Sequence, residues 1–287
     1  MSNYTHNTVP TQYIVANGIR FAYRRFGKKQ GLPLVFFQHF TGTLDNWDPA
    51  VTDILAAERE LILFDNAGIA SSTGEVASTI AGIAETALMF IDALKLTKID
   101  LFGFSMGSFV AQQIAVQRPQ LVNSLILVGS APRGGQDIET FSKEVWDIFA
   151  KEFNPADELL LETFFSPTAS SQAAAQLFLD RIRSRSEDRD IAINDKVVPA
   201  QLAAIAEWGK PYPGSYDYLH QIQQPVLVIG GKTDIIFPTI NSYLLQQNLS
   251  NAELIIYPDS NHAQIYQFPE LFTERANRFL NQNNPLI

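Results

Sequence analysis

Residues 103–107, with the sequence Gly-Phe-Ser-Met-Gly, constrain the fold most because of what lies on either side of them. They follow the apolar run 99–102 and lead into residues 108–117, whose side-chain alternation predicts a helix. Glycines two residues before and two after the serine let a strand and a helix approach closely around a strained turn. The order therefore predicts a tight turn that lifts Ser105 out at the carboxyl end of a strand.

Short apolar runs recur along the chain, and helical patterns lie between most of them. Such runs suit strands that are buried on both faces of a parallel sheet. Asn17-Gly18, between two β-rich runs, predicts a hairpin, whereas 80–94 and 269–280 have helical spacing. We therefore expect an α/β fold with a mostly parallel sheet flanked by helices. The predicted parallel strands are 34–37, 61–64, 99–103, 125–129, 226–230 and 254–257.

The alternation of strands and helices is interrupted between residues 134 and 219, where helical and polar segments dominate. We interpret residues 134–219 as an inserted helical cap and call them the cap segment. Residues 1–133 and 220–287 would then form the core that carries the sheet.

Aromatic side chains are frequent in the cap segment. We expect most of them to pack into a small core of the cap's own. The others, with Phe164 and Trp208 as the candidates, would line a substrate pocket above Ser105. The charged stretch 181–190 indicates a solvated helix face.

The composition excludes several classes of protein. The net charge of −9 argues against nucleic acid or an anionic membrane as a partner. With no cysteine, disulfides, thiolate chemistry and zinc–thiolate sites are excluded. Residues 1–11 are polar and lack the apolar region of a signal peptide, and no apolar stretch approaches the roughly 18 residues of a membrane span. We therefore expect a cytoplasmic protein.

A serine hydroxyl is a poor nucleophile at neutral pH, so Ser105 needs a base and that base needs an orienting group. His262 follows the last predicted strand, at the sheet edge where the catalytic groups of such folds gather. His6 lies in the polar start of the chain and is expected to be exposed. His220 precedes a strand and so belongs to the opposite edge. His262 is thus the best candidate base.

Two aspartates compete for the orienting role. Asp234 follows the predicted strand 226–230 and precedes a predicted helix, which also suits a helix-capping aspartate. Asp259 is close to His262 in sequence, but a separation of three residues in a loop does not set side-chain geometry. We favour Asp234, which gives the order serine, aspartate, histidine along the chain.

The chain resembles the α/β-hydrolase superfamily, with a cap, over almost its whole length. Within the superfamily it resembles the branch of enol-lactonases, cofactor-free haloperoxidases and small esterases. Three motifs carry the resemblance: 103–107, with Met after the serine; 42–49, Gly-Thr-Leu-Asp-Asn-Trp-Asp-Pro; and 65–72, a degenerate D-x-R-G-x-G-x-S loop. Serine at the nucleophile position separates the chain from the dehalogenase and epoxide hydrolase branches, which use aspartate there.

The resemblance also implies an oxyanion hole. Family members usually have His-Gly-x after the third strand, with the amide of x as donor and a tryptophan nine residues beyond the histidine. Counting back from Trp47 aligns Gln38-His39-Phe40 with that motif, so that the amide of Phe40 would be one donor. His39 stands where glycine is usual. The second donor would be the amide of Met106, at the start of a helix.

The function implied by these residues is that of a cofactor-independent serine hydrolase, which cleaves an ester or lactone of a small, largely apolar substrate. Perhydrolysis of the haloperoxidase type and hydrolysis of a C–C bond are alternatives on the same triad. A ligand-binding receptor with slow turnover is an alternative from another class. We expect no metal and no cofactor, and the sequence leaves the oligomeric state open.

Overall fold

The structure, a computed structural model, describes residues 4–284, so the outermost three residues at each end of the expected core lie outside the described part. The strands are β1 (Gln12–Ala16), β2 (Ile19–Gly27), β3 (Leu34–Phe37), β4 (Glu60–Phe64), β5 (Ile99–Phe104), β6 (Val122–Val128), β7 (Val226–Gly231) and β8 (Ala252–Tyr257). They form one sheet in the order β1-β2-β4-β3-β5-β6-β7-β8. The pairs β1–β2 and β2–β4 are antiparallel and the other pairs are parallel, which confirms the expected α/β sheet.

Helices cover both faces of this sheet. Among residues 4–284 the α-helices are α1 (Pro49–Ala56), α2 (Ile80–Ala93), α3 (Met106–Gln117), α4 (Lys143–Phe149), α5 (Leu159–Phe164), α6 (Ala169–Arg183), α7 (Val197–Gly209), α8 (Ile240–Asn248), α9 (Gln264–Gln267) and α10 (Pro269–Gln282). Helices α2, α3 and α8 pack on one face, and α1 and α10 pack on the other. None of the helices in the described chain is long and apolar enough to cross a membrane.

Strand β3 is apolar at every position because helices cover both faces of the sheet. In β3, Val35 and Phe37 enter the core on one face, and Leu34 and Phe36 enter the core on the other. Successive side chains of a strand point to opposite faces, so a run that is apolar at every position buries side chains on both. β8 departs from this expectation, because it forms an edge of the sheet and most of its side chains are partly exposed.

The predicted hairpin is present between β1 and β2. Asn17 and Gly18 have φ angles of 48° and 82°, the left-handed values that a two-residue hairpin turn requires. The helix predicted over 80–94 is α2, which Thr79 caps by accepting a hydrogen bond from the amide of Gly82.

The cap segment contains α4 to α7, and no strand lies between β6 and β7 in the described chain. Its aromatic side chains do not form a separate core, in contrast to the prediction. Trp208 and Phe141 join the core beneath one face of the sheet, and Phe164, Phe165 and Phe178 join the other. The predicted boundary at 219 falls inside a 3-10 helix, Asp217–Gln221, and the division into core and cap stays a prediction.

Two polar regions contain buried side chains where the sequence predicted exposure. His6 is 1% exposed, because the amino-terminal segment packs against α1 and its carbonyl accepts a hydrogen bond from Arg185. Arg185 itself is buried, and Arg181 binds Asp48 of the core with both of its guanidinium edge nitrogens. The stretch 181–190 is therefore only partly a solvated face: Arg181 and Arg185 tie the cap segment to the core, whereas residues 186–189 are exposed.

Candidate active site

Ser105 lies between β5 and α3 in a strained turn, with φ 55° and ψ −128°. The flanking glycines are required by space. A Cβ on Gly107 would lie 2.1 Å from the carbonyl oxygen of Phe37, and a Cβ on Gly103 would lie 2.5 Å from the Cα of Ser108. The turn predicted from the sequence is therefore present, and it places Ser105 at the carboxyl end of the central strands.

Ser105, His262 and Asp234 form one hydrogen-bonded chain. The Ser105 Oγ lies 2.8 Å from His262 Nε2, and His262 Nδ1 lies 2.8 Å from Asp234 Oδ2. Because a carboxylate only accepts, Nδ1 carries the proton and Nε2 is free to accept from the serine hydroxyl. All three side chains are buried. The structure thus brings together the three residues that the sequence selected.

Asp259 points elsewhere. Its carboxylate accepts hydrogen bonds from Ser170 and Thr168, at 2.6 and 2.8 Å. These bonds lower the pKa of Asp259. His220 is also remote from the chain of three, since it lies exposed in the 3-10 helix before β7. Both placements agree with the choice of Asp234 and His262.

The amide groups of Phe40 and Met106 are available as donors. Within residues 4–284, neither N–H has a hydrogen-bond acceptor in the protein. The Met106 amide starts α3, where the helix dipole adds positive potential. Two unpaired donors beside Ser105 are what an oxyanion hole needs.

Side chains hold the loop that carries the Phe40 amide, residues 38–42 and called loop 38–42 below. Gln38 Oε1 accepts from the His39 amide at 2.9 Å, and Gln38 Nε2 donates to the carbonyl of Thr43. His39 Nδ1 lies 2.7 Å from the carbonyl oxygen of Phe40, so Nδ1 is the protonated nitrogen. Burial lowers the pKa of His39 to about 4, and its ring is therefore neutral at pH 7.

Thr41 is the strained residue of loop 38–42. Its φ of 61° lies in the left-handed region, which is unfavourable for a β-branched residue and costs on the order of 1–3 kcal/mol. Its hydroxyl donates to the carbonyl of Phe40 at 2.7 Å, and its amide donates to Gln201 Oε1 at 2.7 Å. Gln201 belongs to α7, so the cap segment contacts this loop directly.

A cavity of about 530 Å³ opens onto Ser105. Its floor is made by loop 38–42, Ser105, His262 and the loop after β7. Most of its wall comes from the cap segment. The cap residues that line it are Phe141, Trp146, Phe149, Ala156, Leu159, Leu160, Thr163, Phe164, Ile193, Val198, Leu202 and Ile205.

Comparison with known proteins places the chain in a family. The model of the alpha/beta hydrolase fold matches residues 33–269. The chain belongs to the alpha/beta hydrolase fold family. It is 28% identical over 250 residues to a Mycobacterium tuberculosis protein provisionally named non-heme bromoperoxidase, a match that covers 84% of this chain and 90% of that protein.

Solved structures agree with this assignment. This alpha/beta hydrolase superposes on an alpha/beta hydrolase fold protein from Chitinophaga pinensis with a TM-score of 0.92 and 40% identity, over 97% of this chain and 99% of that one. The enol-lactonase of Burkholderia xenovorans LB400 gives a TM-score of 0.76 at 18% identity, over 94% and 100% of the two chains. The expected superfamily is confirmed, and these relatives are consistent with the expected branch.

Of the two predicted pocket residues, the structure places only Phe164 in the cavity wall. Trp208 of this alpha/beta hydrolase was assigned wrongly, because it is fully buried beneath the sheet. Its ring stacks on Phe109, and its Nε1 donates to the carbonyl of Ala131. No pattern in the sequence of α7 indicates which of its faces points to the cavity.

Sequence reasoning also missed residues that touch the site. Phe237 packs edge-on against the ring of His262, and Gln201 binds Thr41 across 160 residues of chain. His39 did carry a signal, since it stands where the family usually has glycine. Across residues 4–284, no three His, Asp or Glu side chains are grouped so that they could hold a metal ion.

Proposed function

We propose that this alpha/beta hydrolase is a cofactor-independent serine hydrolase that cleaves carboxylic esters or lactones. Ser105 attacks the carbonyl carbon while His262 Nε2 takes the hydroxyl proton, and the leaving alcohol receives that proton. Water then attacks the acyl-enzyme with His262 as base. Asp234 orients His262 and stabilises its cation, and the amides of Phe40 and Met106 bind the oxyanion. The observation that carries this proposal is the Ser105–His262–Asp234 hydrogen-bond chain beside two unpaired amides.

The side chains that line the cavity favour a substrate that is small, uncharged and largely apolar. Apart from His39 and His262, none of the side chains that line the cavity is ionisable. A carboxylate or ammonium group on the substrate would lose its hydration there without gaining a partner. The residues that line the cavity therefore favour neutral esters and lactones over charged ones.

We further propose that the cap segment is the roof of the site. It supplies most of the apolar wall, and Trp146, which is 42% exposed, stands where the wall meets solvent. A roof of this kind excludes water from the charges that develop in the transition state. It also makes the cap segment the determinant of which substrate groups fit.

Labelling and turnover test the proposal together. A fluorophosphonate probe should label the wild type at Ser105, and a panel of neutral nitrophenyl esters and lactones should be hydrolysed. The variant Ser105→Ala should keep its melting temperature and lose both labelling and turnover. Labelling that persists in Ser105→Ala would show that another group is the nucleophile. A ligand-dependent rise in melting temperature with negligible product would instead indicate a receptor.

Perhydrolysis is the second candidate, and the match to a protein provisionally named non-heme bromoperoxidase favours it. On the same triad, hydrogen peroxide would replace water in the attack on the acyl-enzyme. Oxidation of bromide that requires both peroxide and a carboxylic acid, and that is lost in Ser105→Ala, would support it. Without that dependence, hydrolysis stands as the activity.

A further inference from the structure

Loop 38–42 contains a turn whose middle peptide is held from both sides. The Gly42 amide donates to the carbonyl of His39 at 3.0 Å and closes a four-residue turn, in which Thr41 is the third residue. The peptide between Phe40 and Thr41 is the one that can flip between two forms of such a turn. In the form present here Thr41 has a φ of 61°, a value for which glycine or asparagine is the usual choice.

Three hydrogen bonds keep this peptide from flipping to the other form of the turn, in which Thr41 would have a negative φ. The carbonyl oxygen of Phe40 accepts from His39 Nδ1 and from the hydroxyl of Thr41, each at 2.7 Å. The N–H of Thr41 donates to Gln201 Oε1, also at 2.7 Å. The first two donors belong to the loop itself. The third partner comes from α7, and Gln201 is 2% exposed, so water does not replace it.

The orientation of this peptide affects the neighbouring amide of Phe40. The N–H and C=O of one peptide point in opposite directions, so the N–H of Thr41 faces α7 and the carbonyl of Phe40 faces away. A flip would turn the negative end of the peptide dipole towards the cap segment. It would also release the His39 ring and change the backbone angles beside the Phe40 N–H.

We propose that Gln201 is a positioning residue for the oxyanion hole, holding the strained turn that aims the Phe40 amide at the developing oxyanion. The inference rests on the proposed function. It gives the cap segment a second role, because the oxyanion hole is complete only when α7 is docked on loop 38–42. Gln201 touches neither substrate nor the reacting atoms, and it acts through Thr41.

Steady-state kinetics of Gln201→Met test the proposal. Methionine keeps the length of the side chain and removes the amide oxygen. We expect kcat to fall about 10-fold to 100-fold, less than the 10²–10³ that follows outright loss of one donor, with KM within about twofold. The rate of Ser105 phosphonylation should fall in parallel, because that reaction uses the same oxyanion hole. Amide hydrogen exchange in residues 38–44 should become faster.

The matched control is Gln172→Met on α6. Gln172 also bridges parts of the cap segment, by donating to the carbonyls of Leu161 and Ser166, but it does not touch loop 38–42. It should keep kcat within about twofold even if the melting temperature falls. A loss of kcat equal to that of Gln201→Met would mean that general loosening of the cap explains both.

A double variant separates positioning from a structural role. Glycine adopts a positive φ without strain, so Thr41→Gly should let the turn keep its form without the cap's help. In the Thr41→Gly background, Gln201→Met should lower kcat by less than about threefold. An undiminished effect there would overturn the proposal.

Different results would contradict the proposed function and the positioning role of Gln201. If the wild type neither hydrolyses esters nor is labelled at Ser105, the proposed function has failed and this inference falls with it. If the wild type is active and labelled, yet Gln201→Met has the wild-type kcat, only the positioning role of Gln201 is wrong.

Discussion

Asp234 and His262 are joined by a hydrogen bond of 2.8 Å between Oδ2 and Nδ1, and the other oxygen of the same carboxylate has a separate task. Oδ1 accepts from the amides of Ile236 and Phe237, at 2.9 Å each. One oxygen of Asp234 therefore contacts His262, and the other holds the loop after β7. The expected helix cap is not formed, because α8 begins only at Ile240, with Thr239 in the N-cap position. This division makes the two roles separable by mutation.

Asp234→Asn should lower kcat/KM by about 10⁴ with little change in stability. The amide oxygen can still accept from the two backbone groups, whereas the NH₂ group would face His262 Nδ1. That nitrogen would then have to accept, which places the proton on Nε2 and prevents it from taking the serine proton. Kinetics and a melting curve measure the two effects separately.

Asp259→Asn is the control for this prediction. Its carboxylate binds Ser170 and Thr168 at the surface, so kcat/KM should stay within a few-fold of the wild-type value. If the order of the two effects were reversed, Asp259 would be the orienting acid in the working enzyme.

Phe164→Leu should change the ranking of ester substrates. Phe164 lines the cavity and its ring lies 6.0 Å from that of His262, so a shorter side chain makes room for a longer acyl group. Relative kcat/KM across a series of chain lengths should shift by about 1 kcal/mol. Trp208→Phe, which alters the core, should instead cost on the order of 2 kcal/mol of stability and leave the ranking unchanged. Equal rankings in both variants would place specificity elsewhere.

Arg181→Met should destabilise the protein by about 3 kcal/mol at pH 8, because it leaves the buried Asp48 carboxylate without its cation. Burial already raises the pKa of Asp48, and loss of Arg181 raises it further. The loss of stability in Arg181→Met is absent at low pH, where Asp48 is protonated in both the folded and the unfolded chain. It grows as pH rises from the pKa of Asp48 in the unfolded chain to its higher pKa in the folded variant. Urea unfolding at pH 4.5 and pH 8 should show the larger loss at pH 8.

Arg183→Met on the same helix is the matched control for the ion pair. Its partner is Asp157, and both side chains are about a third exposed, at 33% and 30%. An exposed pair of this kind contributes less than about 1 kcal/mol. A loss as large as that of Arg181→Met would show that the general stability of α6, rather than the buried charge, is responsible.

His6→Phe should make the protein less sensitive to acid. Burial lowers the pKa of His6 from 6.5 to about 3, so the unfolded chain binds a proton that the folded chain does not. The contribution of neutral His6 to the stability of the wild type is therefore fully present above pH 6.5 and is lost as pH falls towards 3. Between pH 6.5 and pH 4 this group removes about 3 kcal/mol. Unfolding free energies at pH 7 and pH 4 should differ less in His6→Phe, and an unchanged difference would contradict the burial of His6.

The sequence predicted the sheet and the three residues of the hydrogen-bond chain because both depend on short-range patterns. The four residues of β3 must be apolar to face two covered sides, and Asn17-Gly18 must take positive φ values in a tight turn. In a parallel sheet the loops after β5, β7 and β8 share one edge, so choosing the candidates that follow those strands was enough to bring Ser105, Asp234 and His262 together.

Only the tertiary structure decided which polar and aromatic side chains are buried and where helix faces point. His6 is covered by α1 and by Arg185, 179 residues away. Trp208 enters the core because its side of α7 lies against Phe109 of α3, whereas another side of the same helix lines the cavity. The bond from Gln201 to Thr41 also has no local signature. Such contacts arise from how distant segments pack, and since residue types in one window are compatible with several packings, a pattern of neighbours along the chain does not determine them.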